Sequence, residues 1–161
     1  MFHLKYLQKF LFLAIFIALI LEKSFATEAG TTAATNVTNG YYIERSDKGN
    51  WFQAFNRCST KHMNLVVLDS KAKMDALIRE LKKVFGSDHP NIWIGGNDNK
   101  KIRQFMWISA NKPFTYTNWA PGQPDNKNSV EHCVMLWENH NYHWNDGNCL
   151  SKMAYVCEER K

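Results

Sequence analysis

The chain has 161 residues, 45% hydrophobic and 14% aromatic, with 20 Lys and Arg against 15 Asp and Glu. About 135 residues beyond the N-terminal segment suit one domain with its own core. The net charge of +5 is mild, and the basic residues gather only around 71–83 and 100–103, which read as a solvated helix face and a polar loop; this gives no basis for nucleic-acid binding or an anionic membrane partner.

Residues 1–26 read as a secretory signal. Lys5 and Lys9 form a short basic region, an apolar run extends from Phe10 to Leu21, and Ser24-Phe25-Ala26 offers small residues for cleavage. The apolar run is shorter than the ~20 residues needed to span a bilayer; an uncleaved signal anchor is the rival reading. Cleavage after Ala26 would remove three lysines and one glutamate, leaving 17 basic and 14 acidic residues and a net charge of +3. The mature chain is therefore expected to be secreted and extracellular, without membrane insertion. Residues 27–40 are rich in Thr, Ala and Gly without periodicity and read as a flexible leader, with Asn36-Val37-Thr38 as a glycosylation sequon on Asn36. The globular domain is expected over residues 41–161, where aromatic residues become dense.

In chain order, Tyr41-Tyr42-Ile43 reads as a first strand. Residues 50–61 carry Trp51, Phe52, Ala54, Phe55 and Cys58 at helical spacing and read as an amphipathic helix. Leu65-Val66-Val67-Leu68 is a short apolar run. Asp69-Ser70 can cap a second helix, which carries Ala72, Ala76, Leu77, Ile78, Leu81 and Phe85 and stops at Gly86. Strands are then expected at Ile92–Gly95, Phe105–Trp107, Cys133–Leu136 and Tyr155–Cys157. The polar stretch from Lys112 to His132 holds Pro113, Pro121, Gly122 and Pro124, and a loop of that length inside a compact domain is usually functional. Trp51, Trp93, Trp107, Trp119 and Trp144 are read as packing residues, and His62, His89 and His140 as surface residues.

Five oxygen-bearing side chains fall between residues 123 and 146: Gln123, Asp125, Glu131, Asn145 and Asp146. Amide and carboxylate oxygens are ligands for Ca²⁺, a hard cation that takes about six to eight of them. Three carboxylates against one dication leave a net charge near −1, so metal-free loops of this composition should repel themselves. The four cysteines, Cys58, Cys133, Cys149 and Cys157, are even in number and expected in an oxidising compartment, which argues for two disulfides; spacing alone leaves three pairings open. A zinc site using His132, His140 and His143 is disfavoured, because the last three cysteines lack the close paired spacing such sites use. Asp125 and Glu131 could in principle form a glycosidase acid and base, but no nucleophile motif accompanies them.

The order of Trp93-Ile94-Gly95-Gly96, Asn118-Trp119, Gln123-Pro124-Asp125, Glu131 before Cys133, Trp144-Asn145-Asp146 before Cys149, and the terminal Cys157 resembles that of a C-type lectin domain from Tyr41 to Glu158, in particular a secreted single-domain insect lectin. The resemblance implies an α+β fold with two helices, antiparallel sheets and a long loop region. It implies disulfides Cys58–Cys157 and Cys133–Cys149, a cis Pro124, and one Ca²⁺ on Gln123, Asp125, Glu131, Asn145 and Asp146, with the sugar bound on the ion by the same residues. The chain is then a lectin and not an enzyme; the rival is a protein-binding module that keeps the fold without the sugar.

Amide before acid in Gln123/Asp125 correlates within that family with galactose and N-acetylgalactosamine. The implied partners are glycans ending in these sugars, on microbial or host glycoproteins, in defence or reproduction. Asn126, Lys127 and Asn128 follow the tripeptide where strong galactose binders carry a Trp; Tyr142 or His143 could supply the missing ring. At the family's auxiliary calcium site only Asp98 is acidic, with Ile102, Asn126 and His132 at the other positions, so this site is expected to be absent or very weak. No coiled-coil or collagen segment is present to build an oligomer.

Overall fold

A computed structural model describes residues 37–98, 101–138 and 140–160. The expected signal, most of the expected leader and Asn36 lie outside these residues. The elements in chain order are β1 Val37–Thr38, β2 Tyr41–Gly49, α1 Trp51–Thr60, β3 Met63–Leu65, α2 Lys71–Phe85, β4 Ile92–Asn97, β5 Met106–Trp107, β6 Lys112–Pro113, β7 Glu131–Leu136, β8 Trp144–Asn148 and β9 Met153–Glu159. This is the expected α+β arrangement of two helices against largely antiparallel sheet.

Both helices form where capping chemistry and apolar spacing coincide. Asn50 caps α1, its side chain accepting from the Gln53 N–H while Gln53 returns a bond to the Asn50 N–H, and Trp51, Ala54 and Cys58 form the buried face. Ser70 caps α2 and Gly86 ends it at φ +63°, a left-handed conformation suited to glycine; Met74, Leu77 and Leu81 face inward. Of the expected capping pair Asp69-Ser70, Ser70 makes the cap, and Asp69 pairs instead with Lys73 at 3.1 Å.

Strands β2, β4, β7 and β9 are longer than expected, β5 is one residue shorter, and three strands are additional. β2 reaches Gly49 because the Glu44 carboxylate gathers the Tyr42 hydroxyl, the Ser46 hydroxyl and the Ser46 and Asp47 N–H groups, while the pairing with β9 shifts register between Glu44 and Gly49. Against the penalty of burial, these bonds hold Glu44 down to about 2. β1 departs from the leader expected through residue 40: Val37–Thr38 pairs with Tyr41–Tyr42, and the Thr38 hydroxyl and Asn39 amide both donate to Glu80 of α2. β6 and β8 are the other additions.

The core has two parts. One packs α2 against Ile43, Val66, Leu68, Ile92, Ile94, Val134, Leu136, Trp144 and Val156. The other packs α1 against Trp93, Met135, Tyr155 and all four cysteines. Cys58–Cys157 and Cys133–Cys149 are bonded, with Cα separations of 5.4 and 5.2 Å. This is the pairing the resemblance implied, and it leaves no free thiolate for zinc among the described residues. Gly95 is required by close approach, since a Cβ there would lie 2.6 Å from the Leu65 carbonyl oxygen. Trp51, Trp93, Trp107 and Trp144 are buried and Trp119 half-buried, all in packing roles. His62 and His140 are exposed as expected, but His89 is half-buried against Tyr142. No helix among the described residues is long and apolar enough to cross a membrane.

Glu80 ties β1 to the domain through charge. Bonds from Lys83, Thr38 and Asn39 hold its carboxyl down to about 2 against an ordinary 4.5. A carboxylate lowered on folding stabilises the fold above its unfolded value and loses that contribution as pH falls through its folded value. Glu80→Gln should therefore lower Tm at pH 7, and the gap to the parent should close between pH 4.5 and about 2. A thermal-melt series over that range checks this.

Candidate functional site

The site is assembled by β8, the start of β7 and the irregular stretch that precedes it. The long loop is stitched to the start of β8: the Trp144 N–H donates to the Asn118 carbonyl at 2.7 Å, and the Ala120 N–H to the Trp144 carbonyl at 2.8 Å. Trp144 is wholly buried, and the rings of Trp107, Phe114, Tyr116 and Trp119 surround it with centroids 5.5–5.7 Å away. The loop therefore leaves the sheet at Ala120 and turns at Gly122, where φ is +83°. The Gln123–Pro124 peptide bond that follows is cis.

Asp125, Glu131 and Asp146 converge here, each offering an oxygen within 4.8 Å of the others. Their environments differ: Asp125 is exposed, Glu131 half-buried and Asp146 wholly buried. Asp146 is satisfied by backbone donors, its Oδ1 accepting from the Asp125 N–H at 3.0 Å and its Oδ2 from the Asn126 N–H at 2.8 Å. The Lys127 N–H lies 3.2 Å from both Asp125 Oδ1 and Glu131 Oε2, and the Glu131 N–H donates to Asn126 Oδ1 at 3.0 Å. Burial pushes the Glu131 carboxyl up; the Lys127 N–H opposes this, and the charges of Asp146 and Asp125 add to it. The like charges act in the direction of the expected self-repulsion, but burial is the larger cause. Gln123 Oε1 accepts from the same Asp125 N–H that serves Asp146, also at 3.0 Å, which draws the amide to the rim of the cluster.

Asn145 supplies an independent sign that a cation belongs here. It is 93% buried, and its Oδ1 has no hydrogen-bond partner. An unsatisfied buried acceptor costs about 1–3 kcal/mol. Beside Asp146, with three carboxylates converging, a hard cation is the partner whose chemistry suits it. The donor set of two amide oxygens and three carboxylates fits Ca²⁺, which would supply a positive centre able to coordinate further oxygen atoms.

Two sequence readings are corrected here. Tyr142 is 0% exposed, and its hydroxyl lies 3.0 Å from His89 Nδ1 beneath β8. It therefore has no surface to offer a sugar; burial, which also raises its pKa, takes the ring into the core. Arg103, read from sequence as part of a polar loop, belongs to the site: Nη1 donates to Asp146 Oδ2 at 3.0 Å and Nη2 to the Pro124 carbonyl. No local signal could have found it, since its partners lie 43 and 21 positions away.

The positions of the auxiliary site are engaged otherwise. Asp98 is buried, with Oδ1 2.9 Å from His132 Nδ1 and Oδ2 accepting from the Arg103 N–H at 2.6 Å. Asn126 Oδ1 is held by Glu131, and Ile102 is 66% exposed.

Comparison with known proteins places the architecture. The family model for the lectin C-type domain matches residues 47–159. The chain is 39% identical to lectin subunit alpha of Sarcophaga peregrina over 73% of its own length and 44% of that protein's. It is 37% identical to salivary C-type lectin 2 of Aedes albopictus, over 74% and 83% of the two chains. The chain thus spans less than half of the first relative but most of the second. Among solved structures, the mouse scavenger receptor C-type lectin domain shares the fold at TM-score 0.67 and 24% identity, over 81% of this chain and 100% of that one. The cow CD23 carbohydrate-recognition domain, solved in the presence of a GlcNAc–mannose oligosaccharide, aligns at TM-score 0.65 and 30% identity over 75% and 87%. The chain belongs to the C-type lectin domain family. It is a carbohydrate-binding lectin rather than an enzyme, on a fold that generally binds Ca²⁺.

The expected role of Asn145 as a calcium ligand is testable apart from folding. Asn145→Ala removes the unpaired buried oxygen, so melting in EDTA should be unchanged or slightly higher than the parent, while calcium affinity measured by titration calorimetry should fall at least about tenfold, as expected for loss of one ligand of a small set.

Proposed function

We propose that this chain is a secreted, calcium-dependent lectin that recognises terminal galactose or N-acetylgalactosamine. The observation that carries the reading is the convergence of Asp125, Glu131 and Asp146 beside the unpaired Asn145 oxygen, with Gln123 at the rim. Gln123, Asp125, Glu131, Asn145 and Asp146 hold one Ca²⁺. An auxiliary site is absent or very weak, because Asp98 is the one carboxylate at its expected positions, beside Ile102, Asn126 and His132.

Bound calcium supplies a cation on which two neighbouring sugar hydroxyls can sit. The residues around it set the direction of hydrogen bonding. Asp125 and Glu131 accept from hydroxyl protons, and the Gln123 and Asn145 amides donate to hydroxyl oxygens, so that each hydroxyl uses both its donor and its acceptor capacity; Asp146, expected from sequence to touch the sugar too, is wholly buried and serves the ion alone. With amide at Gln123 and acid at Asp125, the donor lies on the side that favours galactose-type over mannose-type hydroxyl geometry. Secretion follows from the signal reading of residues 1–26 and fits a relative described as salivary. Asn36 is the proposed glycosylated residue. The targets are galactose-bearing glycans of microbial or host glycoproteins.

The domain should be retained on galactose-agarose in millimolar Ca²⁺ and released by EDTA. Gln123→Glu combined with Asp125→Asn reverses amide and acid and should lose at least about tenfold in galactose affinity while gaining mannose binding, about 1.4 kcal/mol in each comparison. Flow-through on every sugar column, with capture of a protein partner equally in EDTA, would instead identify a protein-binding module.

A further inference from the structure

The carboxylate cluster carries a charge problem that calcium alone does not solve. Three carboxylates and one dication sum to −1, and Asp146 lies wholly out of solvent. Among the described residues, the cation paired with this cluster is Arg103. With its guanidinium included, the metal-free site stands at −2, the charge that one Ca²⁺ neutralises. We propose that Arg103 is a tethered counter-ion that keeps the tripeptide loop closed when no metal is bound.

The geometry supports a clamp rather than an incidental surface pair. Exposed ion pairs contribute little because both partners are solvated and mobile. Here one partner is fully buried, and the guanidinium uses two donors on two separate elements, Asp146 of β8 and the Pro124 carbonyl of the loop. A planar guanidinium can aim two N–H groups at once and stays charged throughout the physiological range; a lysine is a single point charge on a flexible stem.

The base of the clamp is also fixed. Arg103 sits at φ +67°, a left-handed conformation uncommon for a residue with a Cβ, and its own N–H is bound by Asp98 Oδ2 at 2.6 Å. Asp98 is anchored in turn: its N–H donates to the His132 carbonyl at 3.0 Å, and its other oxygen meets His132 Nδ1. His132 follows Glu131 on β7. The chain of contacts therefore joins the β4–β5 loop, β7, β8 and the tripeptide loop without using a metal. Asp146, steadied by Arg103, presents its two oxygens to the Asp125 and Asn126 N–H groups, which fixes the loop backbone.

The two backbone amides give a direct readout. In EDTA, hydrogen exchange at Asp125 and Asn126 should be protected in the parent domain. In Arg103→Gln both amides should exchange at least tenfold faster in EDTA while those of α1 and α2 are unchanged, and millimolar Ca²⁺ should restore their protection. Arg103→Lys, which keeps the charge but not the fork, should exchange at least threefold faster than the parent at the same amides and provides the reading if the glutamine variant does not fold. Unprotected amides in the parent in EDTA, or parental protection in either variant, would overturn the proposal. The EDTA comparisons use neither calcium nor sugar, so a failed galactose column leaves them standing, and only the calcium-rescue arm rests on the proposed metal site.

Discussion

Three carboxylates held within 4.8 Å of one another set the terms for everything around them. At that separation and an effective dielectric near 20, each like-charged pair repels by roughly 3–4 kcal/mol, reduced where solvent screens it. The polypeptide offsets this with donors: four backbone N–H groups, from Asp125, Asn126, Lys127 and Glu131, are spent on oxygens of the cluster or of Asn126 beside it. Arg103 adds a full positive charge at the buried end. What is left over, a raised Glu131 and an unpaired Asn145 oxygen, is what the calcium of the proposed function would relieve.

Such a cluster also needs a scaffold that does not yield to the repulsion, and Trp144 is central to it. Burying a large aromatic residue among four other rings contributes several kcal/mol, since truncating a core Trp to Ala typically costs about 3–5 kcal/mol. The same residue holds the long loop through its N–H and carbonyl. Asn145 and Asp146 follow it, so core packing is transmitted to these proposed ligands through one and two peptide bonds. Beneath them, Cys133–Cys149 ties the strands bearing Glu131 and Asp146 to the turn after β8. In a chain-entropy account, a crosslink closing a loop of about 15 residues contributes about 3 kcal/mol by restricting the unfolded chain.

What the sequence could reveal depended on whether the information was local. Both helices were legible because capping residues and apolar spacing lie within a few positions: Asn50 with Gln53, Ser70 with Lys73, Gly86 at the end. The oxygen cluster was legible because its members fall between residues 123 and 146 and carry the chemistry of a hard cation. Three features were not. β1 is held by Glu80, more than 40 positions away, so a compositionally bland segment acquires structure from a partner that no window contains. Tyr142, flanked by polar residues, reads as a loop ring, but its hydroxyl finds His89 and burial of the ring prevails. Arg103 sits among lysines and looks solvated, yet its role depends on β8 and the tripeptide loop meeting in space.

The loss of Tyr142 from the surface changes the energetics expected of recognition. Sugar-binding sites commonly gain affinity by stacking an aromatic ring on the apolar face of the sugar, burying area that would otherwise cost water. Around Asp125 the following residues, Asn126, Lys127 and Asn128, are polar, with the backbone of Asn126 and Asn128 in left-handed conformations that serve the turn rather than the ligand. Trp119 is engaged edge-on with Phe105 and Trp144. On the reading proposed above, binding therefore rests on metal coordination and hydroxyl hydrogen bonds, in which each contact replaces one to water and the net gain per bond is about 0.5–1.5 kcal/mol. A site built this way discriminates through the direction of its donors and acceptors more than through affinity for one sugar. Strong attachment to a glycan-covered surface then requires several such sites engaged together, because linked weak contacts gain from effective concentration what a single shallow contact lacks.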